Sequence, residues 1–144
     1  MNSQPLLPRW EHFEHEADIG IRGIAPTLEQ AFEQAAIAMT AAVTNLDLVS
    51  PSKVISISCE ASDNDMLLAS WINELVYEMS TQGVLFNRFE VIIDEDTLSA
   101  IAYGEAVDPQ KHQPAVEIKG ATLTELRVYQ QADGTWVAQC VVDV

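Results

Sequence analysis

Three features of the 144-residue sequence predict an α+β fold: a largely antiparallel or mixed β-sheet with two helices packed on it, in a single domain spanning residues 1–144. Two segments carry apolar residues at the 3- and 4-residue spacings of an amphipathic helix, and each follows a period-2 segment. After Gly83 the pattern becomes short strands joined by turns, and strands that meet through tight turns are antiparallel. The length fits one domain, because a chain of this size buries about 68 to 70% of its unfolded surface, enough for a core without staples.

The first patterned segment, Phe13 to Ile24, alternates Ile19, Ile21 and Gly23 with Asp18, Gly20 and Arg22, so it reads as a strand whose polar face starts at Asp18. Pro26 ends the ladder. Thr27 then opens a helix, with Gln30 three residues on in the pattern of a capping box. Leu28, Ala31, Phe32, Ala35, Met39, Ala42 and Val43 form its apolar stripe, which runs to about Asn45. Ser50-Pro51-Ser52 punctuates, and Lys53 to Glu60 alternates again with Ile55, Ile57 and Cys59 on one face. Asp63 or Asp65 supplies the next N-cap, and Leu68, Trp71, Ile72, Leu75, Val76 and Met79 make a stripe that ends before Gly83. Strands are predicted at 86–94, 98–106, 114–119, 125–131 and 135–143, with Asp133-Gly134 marking one hairpin. Residues 1–8 are expected to be loosely ordered, as termini often are.

Composition removes several function classes. With 7 Lys+Arg against 22 Asp+Glu the net charge is -15, and so few basic residues cannot build the cationic surface that holds nucleic-acid phosphates. No stretch reaches the roughly 18 uncharged apolar residues of a membrane span. The start carries no basic region followed by an apolar one, so no secretory signal is read and a cytoplasmic protein is expected. Cys59 and Cys140 lack CxxC spacing, which argues against a disulfide framework or zinc knuckle and for two small core hydrophobes. There is no Gly-x-Ser-x-Gly elbow, Walker loop or Gly-x-Gly-x-x-Gly, so neither a nucleophile nor a nucleotide cradle is legible. His12, His15 and His112 remain as potential bases without a visible partner. Asp63-Asn64-Asp65 lacks the glycine and glutamate of an EF-hand and reads as a helix cap, and Asp94-Glu95-Asp96 reads as a turn between strands.

One carboxylate arrangement stands apart. The last predicted strand ends in Asp143-Val144, which sets a side-chain carboxylate and an α-carboxylate one residue apart. Two anionic donors held so closely match the hard-cation chemistry of Ca²⁺, Mg²⁺ or Mn²⁺. A strand that merely stops is the other reading.

Together these segments resemble the archease family, activators of the GTP-dependent RNA ligase of tRNA splicing. The resemblance rests on His15-Glu16-Ala17-Asp18-Ile19-Gly20, Thr27-Leu28-Glu29-Gln30-Ala31-Phe32 and Trp71-Ile72-Asn73-Glu74-Leu75. It continues through Phe89-Glu90-Val91, Gly104-Glu105, Asp108-Pro109-Gln110-Lys111-His112, Glu117-Ile118-Lys119 and Val142-Asp143-Val144. It implies an archease-like fold and a divalent-metal site made by Asp18, Asp143 and the α-carboxylate of Val144. It further implies a chaperone-like, non-enzymatic activator in tRNA splicing or RNA repair that helps the ligase take up guanylate on its own histidine. Lys119 stands where the family carries a functional lysine, with a cationic residue snorkelling beside the sheet as the alternative. His15 and Glu16 flank Asp18 and join Lys119 as residues facing the partner.

The chain departs from the family pattern twice, with Glu16 where threonine is common and Leu123-Thr124 where a Tyr-His pair is common. The first departure adds a carboxylate near Asp18; the second removes an aromatic and an imidazole from the loop after Lys119. Two other functions compete. One is a chaperone for a tRNA methyltransferase or another RNA-modifying enzyme. The other is a stand-alone metal-dependent hydrolase using Asp18 and Asp143, for which only His15 or Glu16 could act as base.

Overall fold

The period-2 segment that starts at Phe13 turns back on itself. The expected single strand is two, β1 (Arg9–His15) and β2 (Asp18–Ala25), joined by a turn at residues 16 and 17. Glu16 takes the left-handed conformation there, with φ of 54°. Two-residue hairpin turns usually show themselves as Asn-Gly or Asp-Gly, and Glu-Ala carries neither signal. The computed structural model describes residues 7–144, so the looseness expected of residues 1–8 lies, for the first six, outside the described residues.

Both helices begin and end where local chemistry places them. Thr27 caps α1 (Leu28–Val43) by accepting from the Gln30 N–H at 3.2 Å, while the buried Gln30 side-chain oxygen has no partner among the described residues, so the capping box is half made. Asp63 caps α2 (Asn64–Gln82) by accepting from the Met66 N–H at 2.8 Å, and Gly83 closes it in the left-handed conformation that glycine adopts at no steric cost. Asp65 takes another task, accepting from the Val128 N–H at 2.7 Å.

The strands form two antiparallel sheets. The first has the order β1-β2-β8-β6, with β6 (Gly120–Ala121) and β7 (Arg127–Gln130) pairing in succession with β8 (Trp136–Asp143). In the second, β5 (Thr97–Ala106) lies between β3 (Lys53–Glu60) and β4 (Val84–Asp94). Helix α1 packs on β2 and β8 of the first sheet and on β4 of the second, so one apolar stripe serves both. Gly23 permits this approach, since a Cβ there would sit 2.1 Å from the Ala31 carbonyl oxygen. Phe32, Met39, Leu68, Trp71, Ile72 and Phe86 are fully buried between the layers. Cys140 is buried and Cys59 half-buried; both are free, and burial pushes their thiols up to about 12 and about 11 respectively. Among the described residues no helix is long and apolar enough to cross a membrane.

The strand expected at 114–119 does not form. A four-residue helix, α3 (Pro109–His112), precedes an irregular stretch, and pairing with β8 begins only at Gly120. Pro114 has no N–H for a ladder, and the Ala115 N–H goes to the carbonyl of Val43 at the end of α1, so the segment is tied to a helix. The Val116 and Ile118 alternation that looked like a strand is met by packing on the core instead.

Candidate functional site

Cross-strand register brings the predicted residues to one end of the first sheet. His15 pairs with Asp18 across the β1-β2 hairpin. Ile19 pairs with Val142, so one residue further along Asp18 stands opposite Asp143, and Asp143 pairs in turn with Gly120. A single row therefore crosses four strands as His15, Asp18, Asp143 and Gly120, with Lys119 next to its last member. Ile19 and Val142 turn inward to the core, so by the two-residue period Asp18 and Asp143 share the opposite face.

The main chain holds this row closely. The Val144 N–H donates to Asp18 Oδ1 at 3.4 Å, and the Lys119 N–H donates to the Asp143 carbonyl at 2.7 Å. The Val144 side chain packs against the core, which anchors the final residue. Glu16 is exposed at the hairpin turn and His15 is half-buried. Beside Asp18, between β1-β2 and the end of α1, lies an open cavity of about 400 Å³ lined by His12, Glu14, Asp18, Ala41 and Ala42 among others.

Electrostatics at this end is unbalanced. Among the described residues, neither Asp18, Asp143 nor Lys119 takes part in an ion pair. Like charges directly opposite one another in a sheet repel, and a hard cation between oxygen donors removes that repulsion. Among the described residues no three His, Cys, Asp or Glu side chains gather into a group able to hold a metal. Two aspartates alone are few ligands, so the all-oxygen donor set fits a hard divalent ion only with a main-chain carboxylate added.

Residues behind the row were not legible as site residues in the sequence. Asn73 on α2 accepts from the Ala121 N–H at 2.9 Å through Oδ1. Upstream of Lys119, Glu105 binds Lys111 Nζ at 2.8 and 3.0 Å, accepts from the Ser50 N–H at 3.0 Å and meets His112 Nε2 at 2.9 Å. The Asp108 N–H donates to His112 Nδ1, so Nε2 carries the ring proton and donates to Glu105. His112 is thus a buried structural histidine, bound also through its carbonyl by Thr44 Oγ1 at 2.6 Å. The remaining acidic motifs have local roles: Asp63 is a cap, and Glu95 and Asp96 make the β4-β5 turn.

Lys111 foremost, with Ser50 and His112, draws the Glu105 carboxyl down from 4.5 to about 2. A carboxyl depressed on folding stabilises the protein fully above its unfolded value, and that contribution disappears as pH falls through the folded value. Acid titration of thermal stability should therefore show a loss between about pH 4.5 and about pH 2 that Glu105→Gln lacks. Identical acid profiles for the two proteins would remove Glu105 from that role.

Similarity to known proteins spans the same elements. Residues 10–144 match the family model of the Archease protein family (MTH1598/TM1083). The chain is 40% identical over 142 residues to the protein archease of Pyrococcus abyssi, covering 96% of this chain and 100% of that one. Identity to the protein archease of Thermococcus kodakarensis is 36% with the same coverage. The solution structure of Methanobacterium thermoautotrophicum protein 1598 is similar with a TM-score of 0.82 and 30% identity, over 94% of this chain and 98% of that one.

Proposed function

The chain belongs to the archease family, and from that premise we propose that it is a metal-binding activator of a GTP-dependent RNA ligase in tRNA splicing or RNA repair. The convergence of Asp18 on β2, Asp143 on β8 and Lys119 just before β6 at one sheet end carries this reading, because residues far apart in the chain come together there and, among the described residues, none of the three is in an ion pair. Asp18, Asp143 and the α-carboxylate of Val144 hold the divalent ion, Ca²⁺, Mg²⁺ or Mn²⁺. When bound, that ion supplies positive charge able to orient phosphate oxygens in the partner's site. His15 and Glu16 border the aspartates at the hairpin turn, and Lys119 is an exposed residue whose main chain is bonded to Asp143. A charge of -15 favours encounter with a basic RNA-binding cleft. The ligase contributes GTP and the histidine that takes guanylate; this chain orders the site around them.

The test is turnover of the cognate ligase with and without this chain at saturating GTP. Faster turnover at substoichiometric amounts is expected, whereas an unchanged rate removes the activator reading. Parallel incubation of the chain and Mn²⁺ with a model phosphodiester should give no hydrolysis; hydrolysis lost in Asp18→Asn would favour a metal-dependent hydrolase.

Lys119→Ala should lower ligase activation while leaving the fold intact. Lys119 is exposed and no ion pair is lost, so the stability change should stay within about 0.5 kcal/mol. A melting curve and a ligase guanylylation assay check the two halves together. Full activation by the variant would assign Lys119 to the sheet surface alone.

A further inference from the structure

Asn73 sits in the Trp71-Ile72-Asn73-Glu74-Leu75 segment of α2, and packing of the core accounts for its neighbours Trp71, Ile72 and Leu75 but not for it. Its side chain reaches β6. Successive N–H groups of a strand point to opposite sides, and the N–H of the next residue, Thr122, donates to the Val141 carbonyl of β8. The Ala121 N–H accordingly points away from β8, toward α2. An edge strand leaves such a group unpaired unless something covers it, and Asn73 Oδ1 accepts from it at 2.9 Å.

Gly120 makes room for the contact. A Cβ at that position would lie 3.1 Å from Asn73 Oδ1, tighter than ordinary packing, and Gly120 does not have the positive φ that would otherwise call for glycine. The two-residue strand is thus clasped between β8 on one side and Asn73 on the other. Lys119 is the residue immediately before the clasp, on a stretch that carries no regular structure from residue 113 onward.

We propose that Asn73 is a positioning residue for Lys119: by holding Gly120 and Ala121 from the helix side, it fixes where the lysine leaves the sheet end. This rests on the ligase-activator reading and adds to it the helix that sets the lysine's place. The bond is solvent-exposed, so water can replace Asn73 as acceptor and the fold survives its loss; what is lost is the fixed position of the segment.

The experiment compares wild type, Asn73→Ala, Asn73→Asp, Lys119→Ala and the Asn73→Ala/Lys119→Ala double variant in the ligase guanylylation assay. Asn73→Ala should activate about tenfold less, at the lower end of what outer-shell partners cost. Asn73→Asp, which keeps the acceptor, should recover most of that. In the Lys119→Ala background the second substitution should add less than about twofold, since residues acting through one another are non-additive. Melting temperatures should agree within about 2 °C, and Mn²⁺ affinity by calorimetry should stay within about twofold in Asn73→Ala, because the aspartates are untouched. Wild-type activation by Asn73→Ala, failure of Asn73→Asp to recover it, additive losses in the double variant, or weakened Mn²⁺ binding would each overturn the proposal. If wild type itself leaves guanylylation unchanged, the ligase reading fails and takes this inference with it.

Discussion

Asp18→Asn should abolish the response of the protein to divalent metal while leaving it folded, and without metal as stable as wild type or more so. The sign follows from the row. Asp18 and Asp143 stand opposite one another and, among the described residues, neither is in an ion pair, so removing one charge relieves repulsion when the ion is absent and removes a ligand when it is present. Affinity for Mn²⁺ should fall by at least about 100-fold, the upper end of what outer-shell partners alone cost. Wild type at 100 times its dissociation constant should gain about 2.7 kcal/mol of stability. That is a rise in melting temperature of about 5 to 10 °C, which the variant should lack. Adding one glycine after Val144 should act alike, because it turns the α-carboxylate into a neutral amide and moves the charge about 3.8 Å outward. A metal-induced shift of wild-type size in both variants would return Asp143-Val144 to the reading of a strand that stops.

Trp71→Ala should give the largest loss of stability of any single truncation considered. Trp71 is fully buried, meets Phe89 edge-on with ring centroids 5.7 Å apart, and donates through Nε1 to the Phe32 carbonyl at 3.0 Å. It therefore joins α2 to α1 and to the second sheet at once. Truncation opens a cavity and removes the hydrogen bond between the two helices, at a cost of about 3 to 5 kcal/mol out of the roughly 5 to 15 that hold a domain together. For a chain of this length that is a drop of about 6 to 20 °C in the melting temperature. Trp71→Phe should fall between, keeping much of the volume and losing the hydrogen bond. A shift of less than about 2 °C in the alanine variant would mean that the layers are held elsewhere.

How far each feature could be read in advance depends on the range of the interaction that makes it. Thr27, Asp63 and Gly83 act within one helical turn, and all three cap where their residue types predicted. The turn at Glu16 was hidden because its backbone is fixed by the pairing of β1 with β2, not by a turn-forming residue type. The stretch 114–119 has the alternation of a strand, but tertiary packing takes its apolar residues and the end of α1 takes its Ala115 N–H. At the candidate site the carboxylates of Asp143-Val144 are neighbours in sequence and visible as such. Asp18 joins them only through the pairing of the first sheet's second strand with its last, a contact between opposite ends of the chain that no local pattern encodes, so family resemblance alone pointed to it. Asn73 was visible only as one residue of the Trp71–Leu75 motif and not as a site residue, since its partner is a main-chain N–H, which carries no mark in the sequence.

Single-turnover guanylylation of the cognate ligase tests the activator reading most directly. The reading predicts that guanylate appears on the ligase faster as wild-type chain is added in the presence of Mn²⁺, and that Asp18→Asn has no such effect at the same concentrations. Equal guanylylation rates with wild type, with Asp18→Asn and with no added chain would contradict it.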